Sequence, residues 1–310
     1  MNKVYITGVT GFVGINLIDY LKKHNKEVTG VSRSENDVTQ TIDYIRFQQQ
    51  AKTGVAAVIH LAGKAHDLKN VNDPDSYFKV NFGLTKKIYD TFLTSEMDVF
   101  IYMSSVKAVK DVTNGILMEN EIPTPATAYG KSKLKAEQYI LSNLSENKRV
   151  YILRPCMIHG PGNKGNLNLL YKLVSKGIPW PLGDFTNKRS FLSIENLCFV
   201  IKELLDRKDI PSGVYQVADD LSLSTNTVIE LLGNSLGIKE RIWNLPRPWV
   251  NSMAQLGNYL KLPLNTERLQ KLTEDYEVCN AKIVTAMQKK LPISSKQGLN
   301  LTFKSFKKNA

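Results

Sequence analysis

Short uncharged runs rich in Val, Ile and Tyr alternate along the first half of the chain with longer stretches whose apolar residues recur every three or four positions. Val4-Tyr5-Ile6 leads into an apolar-periodic helix from Phe12 to Lys23, and Glu27 to Val31 reads as a second strand. Ile42 to Phe47 is expected as a third strand, followed by a Gln48 to Thr53 stretch too polar and short to assign. Val55 to Gly63 is an apolar strand running into small residues, Pro74 to Ser95 a helix of mixed character, and Val99 to Ser105 a further buried strand. A helix opened by Tyr129 continues through Leu134, Tyr139 and Ile140, and Arg149 to Leu153 closes the alternating part as another strand. Buried strands alternating with helices predict an α/β fold with a doubly wound parallel sheet. Past residue 160 the alternation fades into stretches interrupted by Gly165, Gly177, Pro179, Pro181 and Gly183. The expected elements there are a helix through Val200 to Leu205, a strand at Val214 to Val217 and a helix from Ser224 to Leu236 capped by Ser224 or Thr225. A strand at Arg241 to Leu245 and helices at Pro248 to Leu260, Asn280 to Leu291 and Gln297 to Phe306 follow. The pattern divides the chain into residues 1–160 and a smaller α/β region at 161–310, with segments near 189–217 returning to the first part.

The first strand and helix are joined by Thr7-Gly8-Val9-Thr10-Gly11-Phe12-Val13-Gly14. Three glycines between a strand and a helix let the backbone approach a pyrophosphate, and the helix start aims its unpaired amides and positive dipole end at the phosphates. The natural ligand is a dinucleotide, which makes the first region a Rossmann-type domain. The second strand ends at Ser32-Arg33, where such folds meet the adenosine ribose. An Arg there can hold a 2′-phosphate and points to NADP(H), while Asp37 a few residues on keeps NAD open. His60, alone at the end of its strand, reads as a structural histidine.

Ser104 and Ser105 stand at the carboxyl end of a buried strand, where ligands bind in open α/β sheets. Tyr129 and Lys133 follow at i, i+4 spacing, on one helix face. A free Tyr is a poor base at neutral pH; a neighbouring ammonium and a positively charged nicotinamide ring would both favour its phenolate. Tyr129 then serves as general acid and base, with Ser105 hydrogen-bonding the hydroxyl that exchanges its proton.

Charge and cysteine content narrow the partners. Among 310 residues, Lys plus Arg exceed Asp plus Glu by 41 − 29 = 12, which raises the question of an acidic partner. The lysines are scattered and no aromatic platform is interleaved with them, so nucleic acid is not expected, and a diphosphate-bearing substrate fits instead. No basic and apolar leader opens the chain and no run approaches the ~18–20 apolar residues of a membrane span, which predicts a cytoplasmic protein without a membrane span. Cys156, Cys198 and Cys279 lie far apart without paired spacing, so neither a metal site nor a disulfide is indicated.

Taken together, Thr7-Gly8-x-x-Gly11-x-x-Gly14, Ser104-Ser105, Tyr129-x-x-x-Lys133 and Arg154-Pro155-x-x-x-x-Gly160-Pro161 resemble the extended short-chain dehydrogenase/reductases, and among them the NAD-dependent epimerase/dehydratase family acting on nucleotide-activated sugars. The resemblance implies that Gly8, Thr10, Gly11, Phe12, Val13, Gly14, Ser32, Arg33, Leu61, Ala62, Gly63, Asn81, Ser104, Tyr129, Lys133 and Pro155 bind the cofactor, NAD or NADP. It places the catalytic roles on Ser105, Tyr129 and Lys133, and substrate contacts on Ser105, Lys107, Asn166, Leu167 and Arg189, the last as a planar fork for a diphosphate. Val106-Lys107 stands where 4,6-dehydratases carry Asp-Glu, which disfavours dehydration. Two enzymes remain: a 4-epimerase of a UDP-hexose or UDP-N-acetylhexosamine that borrows and returns a hydride, and an NADPH-dependent reductase of a UDP-4-keto-6-deoxy-hexosamine. A dinucleotide-sensing protein without turnover is the third reading, against which the intact Ser105, Tyr129 and Lys133 argue. Many relatives pair subunits through helices near 74–95 and 129–146, so a homodimer is expected.

Overall fold

A computed structural model describes residues 3–34, 37–50, 57–64, 73–113, 115–163, 165–260 and 264–307. The first part runs β1 (Lys3–Thr7), α1 (Phe12–Lys23), β2 (Glu27–Val31), β3 (Thr41–Ile42), α2 (Tyr44–Gln50), β4 (Ala57–His60), α3 (Pro74–Tyr77), a π-helical stretch Phe78–Leu84, α4 (Thr85–Leu93), β5 (Val99–Met103), β6 (Ile116–Leu117), α5 (Ala128–Leu141) and β7 (Arg149–Pro155). It continues through β8 (Met157–His159), α6 (Asn166–Ser175), β9 (Phe191–Ser193), α7 (Ile194–Asp206), β10 (Gly213–Val217), α8 (Thr225–Leu236), α9 (Arg247–Leu260), α10 (Thr266–Thr273), β11 (Glu277–Val278), α11 (Ala281–Met287) and α12 (Ser295–Lys307).

Seven strands form one parallel sheet in the order β10-β7-β5-β4-β1-β2-β3. The near-continuous apolar character of β4 and β5 has a direct cause: helices cover both faces, so every residue of both strands is buried. Alternation then sorts the side chains. Ala57, Ile59, Val99 and Ile101 face the core packed by Leu17, Ile18 and Leu197 of α1 and α7. Val58, Phe100 and Tyr102 face the opposite core of Phe47, Phe92 and Ile140. A third core, with Leu167, Trp180, Phe191, Leu232, Val250 and Phe303, gathers the C-terminal helices. β10 joins the sheet edge beside β7, with Val214 opposite Ile152.

Several elements differ from expectation. The β3 ladder takes only Thr41 and Ile42; Asp43 then accepts a hydrogen bond from the Arg46 amide at 2.8 Å and turns the expected strand into α2. That helix drops Phe47 edge-on against Tyr5 at 5.2 Å, so the apolar spacing served helical rather than strand packing. Positions 55 and 56 of the expected fourth strand lie outside the described residues. Arg241 to Leu245 forms no named strand, only isolated bridges from Ile242 to Trp180 and from Asn244 to Leu182. The helix expected from Asn280 to Leu291 stops at Met287, because Gln288 adopts a left-handed φ of 50°. Ser224 rather than Thr225 caps α8, accepting from the Thr227 amide at 3.0 Å.

Candidate active site

The glycine turn forms a cradle at the carboxyl end of β1. Gly8 has φ +71°, a conformation that L side chains rarely adopt, and a Cβ there would meet the Ala62 nitrogen at 2.8 Å. A Cβ on Gly14 would stand 2.3 Å from the Gly8 carbonyl oxygen. Among the described residues no side chain caps α1 and its first turn carries no carboxylate, which leaves its amides open to an anion. Thr10 and Gly11 are exposed, while Phe12 and Val13 pack partly against the main core. Leu61, Ala62 and Gly63 run alongside, and Asn81 holds this strip by accepting from the Lys64 amide at 2.7 Å and donating to its carbonyl at 3.1 Å. Ser32 and Arg33 lie at the end of β2, Ser32 donating its amide to Ile42 at 3.0 Å and Arg33 exposed.

His60 is a brace. The Ala62 amide donates to Thr7 Oγ1 at 3.0 Å, which leaves the Thr7 hydroxyl to donate to His60 Nδ1 at 2.7 Å. The Thr85 hydroxyl donates to the Asn81 carbonyl at 2.7 Å, so His60 Nε2 carries the proton shared with Thr85 at 2.9 Å. Burial pushes the imidazole down to about 3, and the Lys133 ammonium adds to the shift. Because its folded value is depressed below the unfolded one, the unfolded chain binds the extra proton. The associated stability is full above about pH 6.5 and is lost progressively toward pH 3, at no more than ~1.4 kcal/mol per pH unit. Urea unfolding at pH 7.0, 6.0 and 5.0 should show this slope, and His60→Gln should flatten it.

The second half of the site joins β5 to α5. Thr127 caps α5 by accepting from the Gly130 amide at 3.1 Å, and a Cβ on Gly130 would stand 2.3 Å from the Lys107 carbonyl oxygen. This close contact seats Tyr129 beside Ser105, whose hydroxyl bonds the phenol. Lys133 donates to the Met103 carbonyl at 2.8 Å, with its Nζ 5.0 Å from the centre of the Tyr102 ring. Burial brings Lys133 down to about 8, opposed by the Glu137 carboxylate. Burial also holds the Tyr129 phenol above its ordinary value, and the bond to Ser105 pulls against that. In the protein alone, therefore, desolvation outweighs any lowering of the phenol.

Sequence reasoning passed over Glu137 and Arg154 as a pair. They form a buried salt bridge, Arg154 Nη2 to Glu137 Oε2 at 2.6 Å, and Ser104, expected at the cofactor, donates its hydroxyl to Glu137. The signal was present: Glu137 continues the Tyr129, Lys133 stripe at the next i+4 position.

A cleft of about 640 Å³ opens beside Ser105 and Tyr129, lined also by Lys107, Cys156, Asn166 and Arg189 and walled by Gln270, Lys271, Glu274 and Tyr276. Lys107 donates to the Asp111 carbonyl at 2.5 Å and lies 4.2 Å over the Tyr276 ring; burial lowers its pKa. Arg189 donates to the Lys271 carbonyl and to Glu274, each at 2.7 Å, so its fork is engaged within the protein. The Leu167 side chain packs in the C-terminal core, which leaves its main chain for a ligand. Pro155 is buried at the end of β7, directly before Cys156 in the cleft wall.

A glycine cradle meeting a Ser, Tyr and Lys group at the strand ends, beside a second cleft, defines an enzyme of the extended short-chain dehydrogenase/reductase type. The chain belongs to the NAD-dependent epimerase/dehydratase family, whose model it matches over residues 4–218. It is 30% identical to a UDP-glucose 4-epimerase from Vibrio cholerae, covering 98% of this chain and 95% of that protein. An Escherichia coli O157:H7 enzyme named N-acetyl-alpha-D-glucosaminyl-diphospho-ditrans,octacis-undecaprenol 4-epimerase is 29% identical over 83% of this chain and 78% of its own length. The fold is shared with a UDP-glucuronic acid 4-epimerase from Bacillus cereus, solved in complex with NAD, at a TM-score of 0.76, with 20% identity and 99% of each chain covered.

Proposed function

We propose that the protein is a nucleotide-sugar 4-epimerase that acts on a UDP-hexose or UDP-N-acetylhexosamine with a nicotinamide dinucleotide held in the glycine cradle. The observation that carries this reading is the placement of the Ser105 and Tyr129 pair on the wall of the cleft, with Lys133 behind it. The bound nicotinamide supplies a reversible hydride acceptor for the sugar C4. Tyr129 would take the proton of the C4 hydroxyl as that carbon becomes a ketone and return it when the alcohol re-forms with the opposite configuration. Ser105 bonds the same oxygen, and the Lys133 ammonium favours the phenolate while it is charged. Gly8, Gly11 and Gly14 give the pyrophosphate its backbone approach, with Thr10, Phe12, Val13, Leu61, Ala62, Gly63, Asn81 and Pro155 around the remainder of the cofactor. Asn166, the main chain at Leu167, Lys107 and Arg189 hold the sugar diphosphate; Arg189 would exchange Glu274 for phosphate oxygens. Two copies associate through the helices at 74–95 and 129–146.

The direct test is to incubate the purified protein with UDP-glucose and UDP-N-acetylglucosamine and measure the 4-epimers by chromatography; absence of both products would count against the reading. Exposed Arg33 at the end of β2 supports the second reading, an NADPH-dependent 4-ketoreductase. Arg33→Ala should then lower the preference for NADPH over NADH by about tenfold, the worth of a charge-assisted contact. An unchanged ratio removes Arg33 from the 2′-phosphate and leaves epimerisation.

A further inference from the structure

Three consecutive residues at the end of β5 each join α5. The Met103 carbonyl accepts from Lys133 at 2.8 Å, the Ser104 hydroxyl donates to Glu137, and the Ser105 hydroxyl bonds Tyr129. Their partners 129, 133 and 137 form one stripe of the helix. Glu137 is the rung that a second strand also grips: Arg154 Nε reaches both carboxylate oxygens at 3.1 Å and Nη2 reaches Oε2 at 2.6 Å. Arg154 belongs to β7, which pairs beside β5, and the Ser104 amide donates to the Leu153 carbonyl at 2.8 Å. Glu137 is 0% exposed and Arg154 5%.

We infer that Glu137, held by Ser104 and Arg154, is a positioning residue that fixes the end of β5 against α5 and so sets where the Tyr129 phenol and the Lys133 ammonium stand. The inference rests on the catalytic reading of Tyr129 and Lys133, and it assigns a task to residues that reading leaves unused. An ion pair this deeply buried is a poor source of stability, since apolar residues of similar volume commonly do as well or better; its value lies in fixing one geometry. Had stability been the only demand, a leucine at 137 packed on a methionine at 154 would have met it.

The charges around Lys133 follow from the same arrangement. α5 contributes Glu137 and Tyr129, β5 contributes Tyr102 and β4 contributes neutral His60, while Arg154 of β7 pairs with the Glu137 carboxylate. Carboxylate and guanidinium offset each other. Removing the carboxylate alone would take away the charge that opposes the desolvation of Lys133, and Lys133 would release its proton more readily.

The test uses the full-length protein labelled with 13C at tyrosine Cζ and lysine Cε, titrated by NMR, with Tyr129→Phe and Lys133→Met assigning the two signals. Neither readout uses a substrate, so an error in the assigned sugar leaves the result intact. Ser104→Ala should raise the Tyr129 midpoint by about one pH unit, because the hydrogen bond from Ser105 that lowers it loosens, and Ser104→Thr should restore it. Glu137→Gln should lower the Lys133 midpoint by about one unit or more. Should Glu137→Gln fail to fold, the charge-balanced Glu137→Gln/Arg154→Met protein should show the same rise at Tyr129 as Ser104→Ala. Wild-type midpoints for Tyr129 and Lys133 in both Ser104→Ala and the balanced double variant would make the pair scaffolding alone and overturn the inference.

Discussion

Tyr129→Phe should reduce kcat by about 10²- to 10⁴-fold, the usual contribution of a positioned acid-base group, while leaving the fold and dinucleotide binding in place. The ring sits among partners that the substitution keeps: Tyr77 packs edge-on at 6.3 Å, and Gly130 still fits against Lys107. What disappears is one oxygen, the one bonded to Ser105. Because burial raises the phenol in the protein alone, a Tyr129 that accepts the substrate's proton would depend on neighbouring positive charge to ionise. Activity should therefore also depend on the charge of Lys133, fully present below its value of about 8 and lost above it. The measurement is single-turnover reduction of bound NAD on addition of UDP-hexose, followed at 340 nm for both proteins between pH 6 and 9. Equal rates would remove Tyr129 from the chemistry; a lost rate with unchanged NAD affinity would support its role.

Much of this site could be read from local spacing. The glycine turn, the buried strand before Ser105 and the i, i+4 pair of Tyr129 and Lys133 are short-range features, and each is dictated by one element's own geometry. What escaped was contact between distant segments. Glu137 meets Arg154 and Ser104 only after β5 and β7 have paired, so its place on the Tyr129, Lys133 stripe marks its face of the helix but not these partners. The Ile42 to Phe47 segment failed for a related reason: a short apolar run fits either period, and the Asp43 cap decided between them. Arg189, expected as a planar fork for a diphosphate, is engaged by the fold with Glu274 and the Lys271 carbonyl on the cleft wall. Its release is a step that any diphosphate ligand would have to drive.

The glycine turn separates the needs of the fold from those of the ligand, because its members differ in what surrounds them. Gly14→Ala should be severe. The added Cβ would stand 2.3 Å from the Gly8 carbonyl oxygen and 2.8 Å from Val9 Cα, and neither backbone atom can rotate away as a side chain can. Displacing the turn should cost about 1–3 kcal/mol of stability even without cofactor, as overpacking of a tight interior does. Gly11→Ala differs in kind. Gly11 has φ −78° and ψ 164°, which any residue adopts, and its Cβ would approach the Gly8 oxygen only to 3.3 Å. Its unfolding midpoint in urea should stay close to wild type. Dinucleotide affinity should nevertheless fall in both variants: by about 100-fold for Gly14→Ala, equivalent to ~2.7 kcal/mol, and by about tenfold for Gly11→Ala, where the methyl crowds a pyrophosphate on the open amides. Calorimetric titration with NAD and with NADPH gives these values. A Gly11→Ala protein that is stable and binds both nucleotides at wild-type strength would mean that the turn serves the fold alone, and that the pyrophosphate does not lie on the start of α1.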